Sequence, residues 1–250
     1  MREDFFHLKD KICLIAGASS GLGKQTCKIL DSLEAKVIAI ARREENLKQL
    51  QKECKNLEYK IYDFYAQDGI KNLVDDIVKE HGKINAMAYF SGTSCVKPLR
   101  MIDIEEAKKV FDVNFFSCLE LLKCLYDKRK SENLSTVLIG SASLKMSVSS
   151  MSVYDASKGA LNTLATSLVK DFAKFNFRIN SILPAHVDTE MTHKASSIRS
   201  DGYNLELEKL YPLGVGKEDD IANLCVFLLS PLSAWMSGQS IVMDGGRVLY

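Results

Sequence analysis

The sequence predicts an α/β fold, a doubly wound parallel sheet in a single domain over residues 1–250. Three observations carry this. Short apolar runs alternate with amphipathic helical stretches along the whole chain. Each run is apolar throughout, as strands covered on both faces are. A glycine-rich turn, GASSGLG, separates the first run from the first helical stretch. The chain is 46% hydrophobic and 26% charged, ordinary for a globular protein and ample for a core. There is no internal repeat, low-complexity segment or linker.

Composition also narrows the function. A net charge of +1 argues against phosphate-driven nucleic-acid binding. No apolar run approaches a membrane span, and MREDFFHLKDK has no signal-peptide apolar core. The seven cysteines form no CxxC pair, so they read as reduced core thiols of a cytoplasmic protein. The four histidines have no HExxH-like spacing, so no metal site is expected.

The elements follow in order. Residues 11–16 (KICLIA) form the first strand, and a helix after the glycine turn runs through Ile29 and Leu33. Residues 36–41 (KVIAIA), 59–62, 85–90, 136–140, 177–183 and 239–243 are the next six strands. Helices are predicted over 44–54, 70–81, 104–130, 152–175 and 217–229. In the 152–175 stretch, Leu161, Leu164, Ala165, Leu168 and Phe172 recur at helical spacing. Residues 190–216 lack a pattern and suit a lid, with a short helix at 204–210.

Two stretches carry chemistry. Gly17, Gly21 and Gly23 stand between the first strand and first helix, where glycine permits a tight turn and lets a pyrophosphate approach the helix N-terminus. The second strand ends in Ala41-Arg42-Arg43 and has no acid to hold a ribose 2′-hydroxyl. The pair reads either as solvated charges or as a seat for a 2′-phosphate. Two cations opposing a helix dipole favour the second, hence NADP (NADPH) over NAD. The other stretch is SVYDASKGAL at 152–161. Tyr154 and Lys158, four apart, share one helix face. A free phenol titrates near about 10, and a nearby cation brings it toward the working range, where it can exchange a proton with a carbonyl or an alcohol. Taken alone, the pair reads first as a surface Tyr and Lys.

With GASSGLG and YDASK in place and the spacing between them, the chain resembles the short-chain dehydrogenase/reductase family, and within it the subgroup of the 3-oxoacyl carrier-protein reductases. The resemblance extends to FDVNFFS, RINSILPAHVDTEM, PLGVGKEDDIANLCVFLLSP and SGQSIVMDGG, essentially the whole chain. It implies a Rossmann fold and a tetrad of Asn114, Ser141, Tyr154 and Lys158. Tyr154 is then the acid/base, with its pKa lowered by Lys158, and Lys158 also bonds the nicotinamide ribose. Ser141, thirteen residues before Tyr154, polarises the substrate oxygen, and Asn114 holds a water that links Lys158 to solvent. For the cofactor it implies Gly17, Gly21 and Gly23 at the pyrophosphate, with Leu22 in the same turn, and Asp63 at the adenine edge, with Phe64 next to it in the chain. Ser91 and Gly92 follow the fourth strand, and Thr189 is expected near the carboxamide, with Pro184 and Val187 in the same cofactor-binding stretch. Arg42 is expected over the 2′-phosphate, with Arg43 and Ser19 or Ser20 nearby. Spacing gives Ser143 no catalytic role.

The chain also departs from the family. Tyr89-Phe90-Ser91-Gly92 stands where the family has NNAG, which puts the local cofactor geometry in question. Ala16 replaces a threonine, and Ala185-His186 replaces a glycine. The expected activity is NADPH-dependent reduction of a ketone or aldehyde, such as a 3-oxoacyl thioester or a keto-sugar. The alternatives are a non-catalytic dinucleotide-binding regulatory or assembly protein and an NADP-dependent alcohol dehydrogenase. Lys128, Arg129, Lys130 and Lys174 are the basic groups available to an acyl carrier. Apolar faces with Phe115, Phe116, Leu119 and Leu122, and with Leu164, Leu168 and Phe172, point to a homodimer or homotetramer.

Overall fold

A computed structural model describes residues 4–146, 148–190, 192–193 and 209–249. Seven parallel strands lie in the order β3-β2-β1-β4-β5-β6-β7. They are β1 (Ile12–Ala16), β2 (Lys36–Ala41), β3 (Leu57–Ile61), β4 (Ile84–Tyr89), β5 (Ser131–Ile139), β6 (Arg178–Pro184) and β7 (Ser240–Met243). Alternate residues of each strand face opposite layers. Cys13, Ile15, Val37 and Ala39 pack under α1 (Gly21–Ser32) and a late helix carrying Cys225 and Val226. Leu14, Ile38 and Ile40 face Val74 and Ile77 of α3 (Ile70–His81), together with Leu121 and Leu161. The polar helix α2 (Glu44–Glu53) buries only Leu47 and Leu50. The chain leaves β1 for β2 on one side and pairs it with β4 on the other. A crevice therefore opens at the C-terminal ends of β1 and β4, the usual ligand position in such sheets.

Two predicted helices are interrupted. The long helical region is α4 (Ile104–Phe111), a wide π turn (Asp112–Phe116) and α5 (Ser117–Leu125), rather than one helix reaching residue 130. Asp103 caps α4 by accepting from the Glu106 N–H. Neighbours take up carbonyls of the wide turn. The Tyr89 hydroxyl donates to the Val113 carbonyl at 2.6 Å, and the Gln67 amide donates to the Asp112 carbonyl at 3.4 Å. Tyr89 is fully buried and edge-packed on Phe64, with ring centroids 5.5 Å apart. The aromatic that replaces the family's asparagine thus braces β4 against the helix beside it. The second predicted helix is α6 (Ser152–Ser167) followed by α7 (Val169–Ala173), with a break at Leu168. The last helix is α8 (Glu218–Leu229).

β5 begins earlier than expected, at Ser131, because its irregular first residues already pair with Ile84. All seven cysteines are free and buried. The lid segment and its helix over 204–210 fall mostly outside the described residues. Of the faces read as oligomer contacts, Leu122 and Phe172 are instead spent inside this chain's own core, while Phe116 stays 47% exposed. Among the described residues no helix is long and apolar enough to cross a membrane.

Removing the Tyr89 hydroxyl leaves a buried carbonyl short of a partner. Tyr89→Phe should cost about 1–3 kcal/mol of unfolding free energy and speed amide exchange over residues 112–116. Urea denaturation with hydrogen exchange checks both; unchanged stability would show the bond to be dispensable.

Candidate active site

The crevice is shaped by glycine. Gly17 has φ +86°, and a Cβ there would lie 2.5 Å from the Ser91 nitrogen. Only a residue without a side chain lets the first turn pack on the loop after β4. A Cβ on Gly23 would meet the Gly17 carbonyl oxygen at 2.3 Å, so the third glycine seats α1 against the turn. Gly21, at φ +57°, would place a Cβ 3.8 Å from a Glu218 oxygen and 3.9 Å from Thr189, which brings the loop after β6 over the turn. Ser20, the N-cap of α1, makes no side-chain capping bond, and the first turn holds no acid. The free N–H groups and the dipole are left for an anion. This cradle fits the pyrophosphate of a dinucleotide. Leu22 packs against the core, and the Phe64 ring is core as well. Pro184 ends β6, and Val187 is buried and bridges to Gly216.

The two arginines divide differently from expectation. Arg43 holds the glycine turn: its Nε donates to Ser19 Oγ at 3.1 Å, and a terminal nitrogen donates to Ser20 Oγ. Its other terminal nitrogen pairs with Glu190 at 2.8 Å. Arg42 turns outward, 4.0 Å from Asp63 and over the Tyr65 ring at 5.5 Å. Arg43, the N-cap of α2, is therefore the arginine held at the glycine turn, while Arg42 faces Asp63.

The tetrad residues gather where β4, β5, the π turn and α6 meet. Asn114, inside the π turn, is fully buried. Its Oδ1 accepts from the Thr93 N–H at 2.8 Å, and its Nδ2 donates to the Thr93 carbonyl at 3.0 Å and to Ser157 Oγ at 2.8 Å. Its side chain thus clamps the loop after β4 to α6. A Cβ on Gly92 would lie 3.3 Å from Asn114 Oδ1 and 3.4 Å from Lys158 Nζ, so a bare backbone lets these two converge. Lys158 is 4% exposed, and its ammonium donates to the Ile139 carbonyl at 2.7 Å. Burial pulls its pKa down to about 8. Lys158 Nζ stands 5.8 Å from the Tyr154 ring centroid.

Lys158 does not depress Tyr154 here. Burial pushes the phenol up to about 12, and the Asp155 charge adds to that; the neighbouring Ser141 hydroxyl is the group that favours the phenolate. The ammonium is occupied by a β5 carbonyl instead. Ser141 Oγ lies 2.6 Å from Ser143 Oγ, and Ser143 donates in turn to the Asp155 carboxylate. Sequence reasoning missed Thr93, Ser157, Asp155 and Glu190, and it set Ser143 aside on spacing. YDASK displays Asp155 and Ser157, but only the fold reveals their partners. The constellation offers a half-buried phenol, a buried ammonium and a hydroxyl beside an anion cradle, the parts needed to move a proton next to a dinucleotide.

The sequence pattern described as short chain dehydrogenase matches residues 11–199, which includes the glycine turn and all four tetrad positions. The chain belongs to the short-chain dehydrogenase family. It is an NAD(P)-dependent oxidoreductase. It is 30% identical over 248 residues to a 3-oxoacyl-[acyl-carrier-protein] reductase of Thermotoga maritima, covering 97% of this chain and 99% of that one. A tropinone reductase homologue of Arabidopsis thaliana is 29% identical over 240 residues, covering 93% and 88%. The ligand-free structure of Thermoplasma acidophilum aldohexose dehydrogenase superposes with a TM-score of 0.87 at 25% identity, covering 98% and 97%. This short-chain dehydrogenase shares its fold with the Thermoplasma enzyme and carries Tyr89 where the family pattern has an asparagine.

A buried ammonium gives the enzyme a pH signature. Folding lowers the Lys158 pKa from 10.5 to about 8, so the unfolded chain binds the extra proton more readily between those values. The penalty for burying the charge is in full force below pH 8 and is relieved as pH rises to 10.5. At about 1.4 kcal/mol per unit, the parent should gain on the order of 2–3 kcal/mol relative to Lys158→Met across that window. Denaturant melts of both proteins from pH 7 to 10.5 check this; parallel curves would mean that folding leaves the Lys158 pKa unshifted.

Proposed function

We propose that this enzyme uses NADPH to reduce the ketone or aldehyde carbonyl of a small molecule, in the cytoplasm, with Tyr154 giving the proton. The bound dinucleotide supplies the hydride. The chain's own residues do the rest. The glycine turn and the N-terminus of α1 hold the pyrophosphate, and Ser141 and Tyr154 face the reacting oxygen. Lys158 keeps a positive charge beside the ribose and the phenol, and Asn114 fixes the loop and helix that frame them.

The observation that carries the choice of NADP is Arg43, anchored by Ser19 and Ser20 at the open end of the cradle. A 2′-phosphate would take the place of the Glu190 carboxylate on this guanidinium, and β2 ends in Ala41 without an acid. For the substrate, a cavity of about 650 Å³ is lined by Lys97, Pro98, Leu99, Met146, Ser149 and Asp155 among others. The Thermotoga relative's name points to an acyl-carrier substrate. Here the basic groups such a carrier would need are engaged. Lys128 lies over the Phe175 ring, and Arg129, Lys130 and Lys174 pair with Asp127, Asp75 and Asp171. A small hydroxylated carbonyl compound, such as a keto-sugar, suits the serines and carboxylate of the cavity better. Exposed Ile104 and Phe116 on the α4–α5 face support a homodimer or homotetramer.

Tyr154→Phe should abolish nearly all NADPH oxidation with a carbonyl panel and leave NADPH binding within a few-fold; parental turnover would remove the assigned acid. Arg43→Ala should weaken NADPH binding roughly 10- to 150-fold, as loss of a charge-assisted bond implies, and change NADH binding little. Arg42→Ala should do less. Calorimetric titration with both cofactors decides it, and an equal loss for NADH would sink the phosphate assignment.

A further inference from the structure

Ser143 and Asp155 lie outside the tetrad, yet they are bonded into it. Asp155 follows Tyr154 on α6 and lines the cavity. One of its carboxylate oxygens accepts from Ser143 Oγ, and no described residue donates to the other. Ser143 Oγ is 2.6 Å from Ser141 Oγ, and the Ser143 N–H donates to Ser141 Oγ at 3.2 Å.

Counting hydrogens orients this chain. A hydroxyl has one proton, and an ionised carboxylate can only accept. The Ser143 proton is therefore spent on Asp155, and Ser141 must donate to Ser143. The Ser141 oxygen already accepts one bond from the Ser143 N–H. What Ser141 then turns toward Tyr154 and the reacting centre is a lone pair. A carbonyl oxygen needs the opposite, a proton. When Asp155 is protonated the chain reverses. Asp155 donates to Ser143, Ser143 donates to Ser141, and the Ser141 proton is free to point at the substrate.

We propose that Asp155 and Ser143 are positioning residues that set the direction of the Ser141 hydroxyl, so that the protonation of one carboxyl group beside the site gates carbonyl reduction. The proposal rests on the reductase reading above. The groups around the chain are Lys158 on α6, with Cys118 of α5 behind it, and Lys97, which shares the cavity wall with Asp155 and is paired with Glu106 of α4. Burial raises the Asp155 pKa above the ordinary carboxylate range, and the Ser143 bond opposes that rise. The limb it produces lies on the acid side, away from those of Lys158 at about 8 and Tyr154 at about 12.

The test is the pH profile of kcat/KM for reduction. In the parent it should fall about three- to ten-fold as Asp155 ionises, the worth of one neutral hydrogen bond to the substrate. Asp155→Asn and Ser143→Ala should each lose this limb, and the double variant should match either single one. A second readout needs no cofactor. Infrared titration of the parent minus Asp155→Asn should show the carboxyl band disappearing above the ordinary range, and Ser143→Ala should move that loss to still higher pH. A parent without the limb, or a limb that survives both substitutions, overturns the proposal. Loss in Asp155→Asn alone would mark a through-space charge effect and overturn the chain as well. Tyr154→Phe in the same assay separates the two readings. If it is active, the acid assignment fails; if it is inactive while the limb survives both substitutions, the present proposal fails alone.

Discussion

The site depends on burying one ammonium. A charged amine in a low-dielectric interior is costly unless fixed dipoles meet it. Lys158 is 4% exposed and reaches a β5 carbonyl that the sheet ladder leaves available at the strand's end. Residue 92 lies close against it, where a Cβ would crowd Asn114 Oδ1 at 3.3 Å, and the loop carrying Gly92 must be held in place. Asn114 holds it through both backbone groups of Thr93. Asn114 in turn is positioned by a helical turn one residue wider than usual, which is tolerable because Tyr89 and Gln67 take up its carbonyls. Such turns are often found at functional sites.

At the cofactor end a second constraint operates. β1 must pass so near the loop after β4 that no Cβ fits at residue 17. The close approach leaves the N-terminus of α1 open, and Arg43 spans its rim from the next strand. Glu190 closes the span from the loop after β6. Three separate parts of the chain thus meet on one guanidinium, which ties the segment after β6 to the glycine-turn end of the crevice.

Much of this was legible in the sequence. An apolar run such as VIAIA after Lys36 reads as a buried strand, and the structure has β2 at those residues. The turn GASSGLG and the four-residue step from Tyr154 to Lys158 encode local geometry, so they could be read directly. What escaped was set by contacts between distant elements. The π turn is a hydrogen-bonding pattern that Tyr89, twenty-four residues earlier, helps to hold. Leu168 fits the apolar period, yet the helix breaks there. The roles of Arg42 and Arg43 depend on which one Asp63 attracts, and Ser143 meets Asp155 only because β5 delivers it to the flank of α6.

The seven cysteines are spread through the molecule: Cys13 in β1, Cys27 in α1, Cys54 after α2, Cys95 after β4, Cys118 and Cys124 in α5, and Cys225 in α8. Each is buried, and burial holds every thiol above its ordinary pKa. A protonated, enclosed sulfur is a poor nucleophile. In the native enzyme an alkylating reagent must therefore wait for the surrounding structure to open. The chain carries its own set of stopwatches, and the order in which the sulfurs are captured gives the order in which strand, helix and loop come apart.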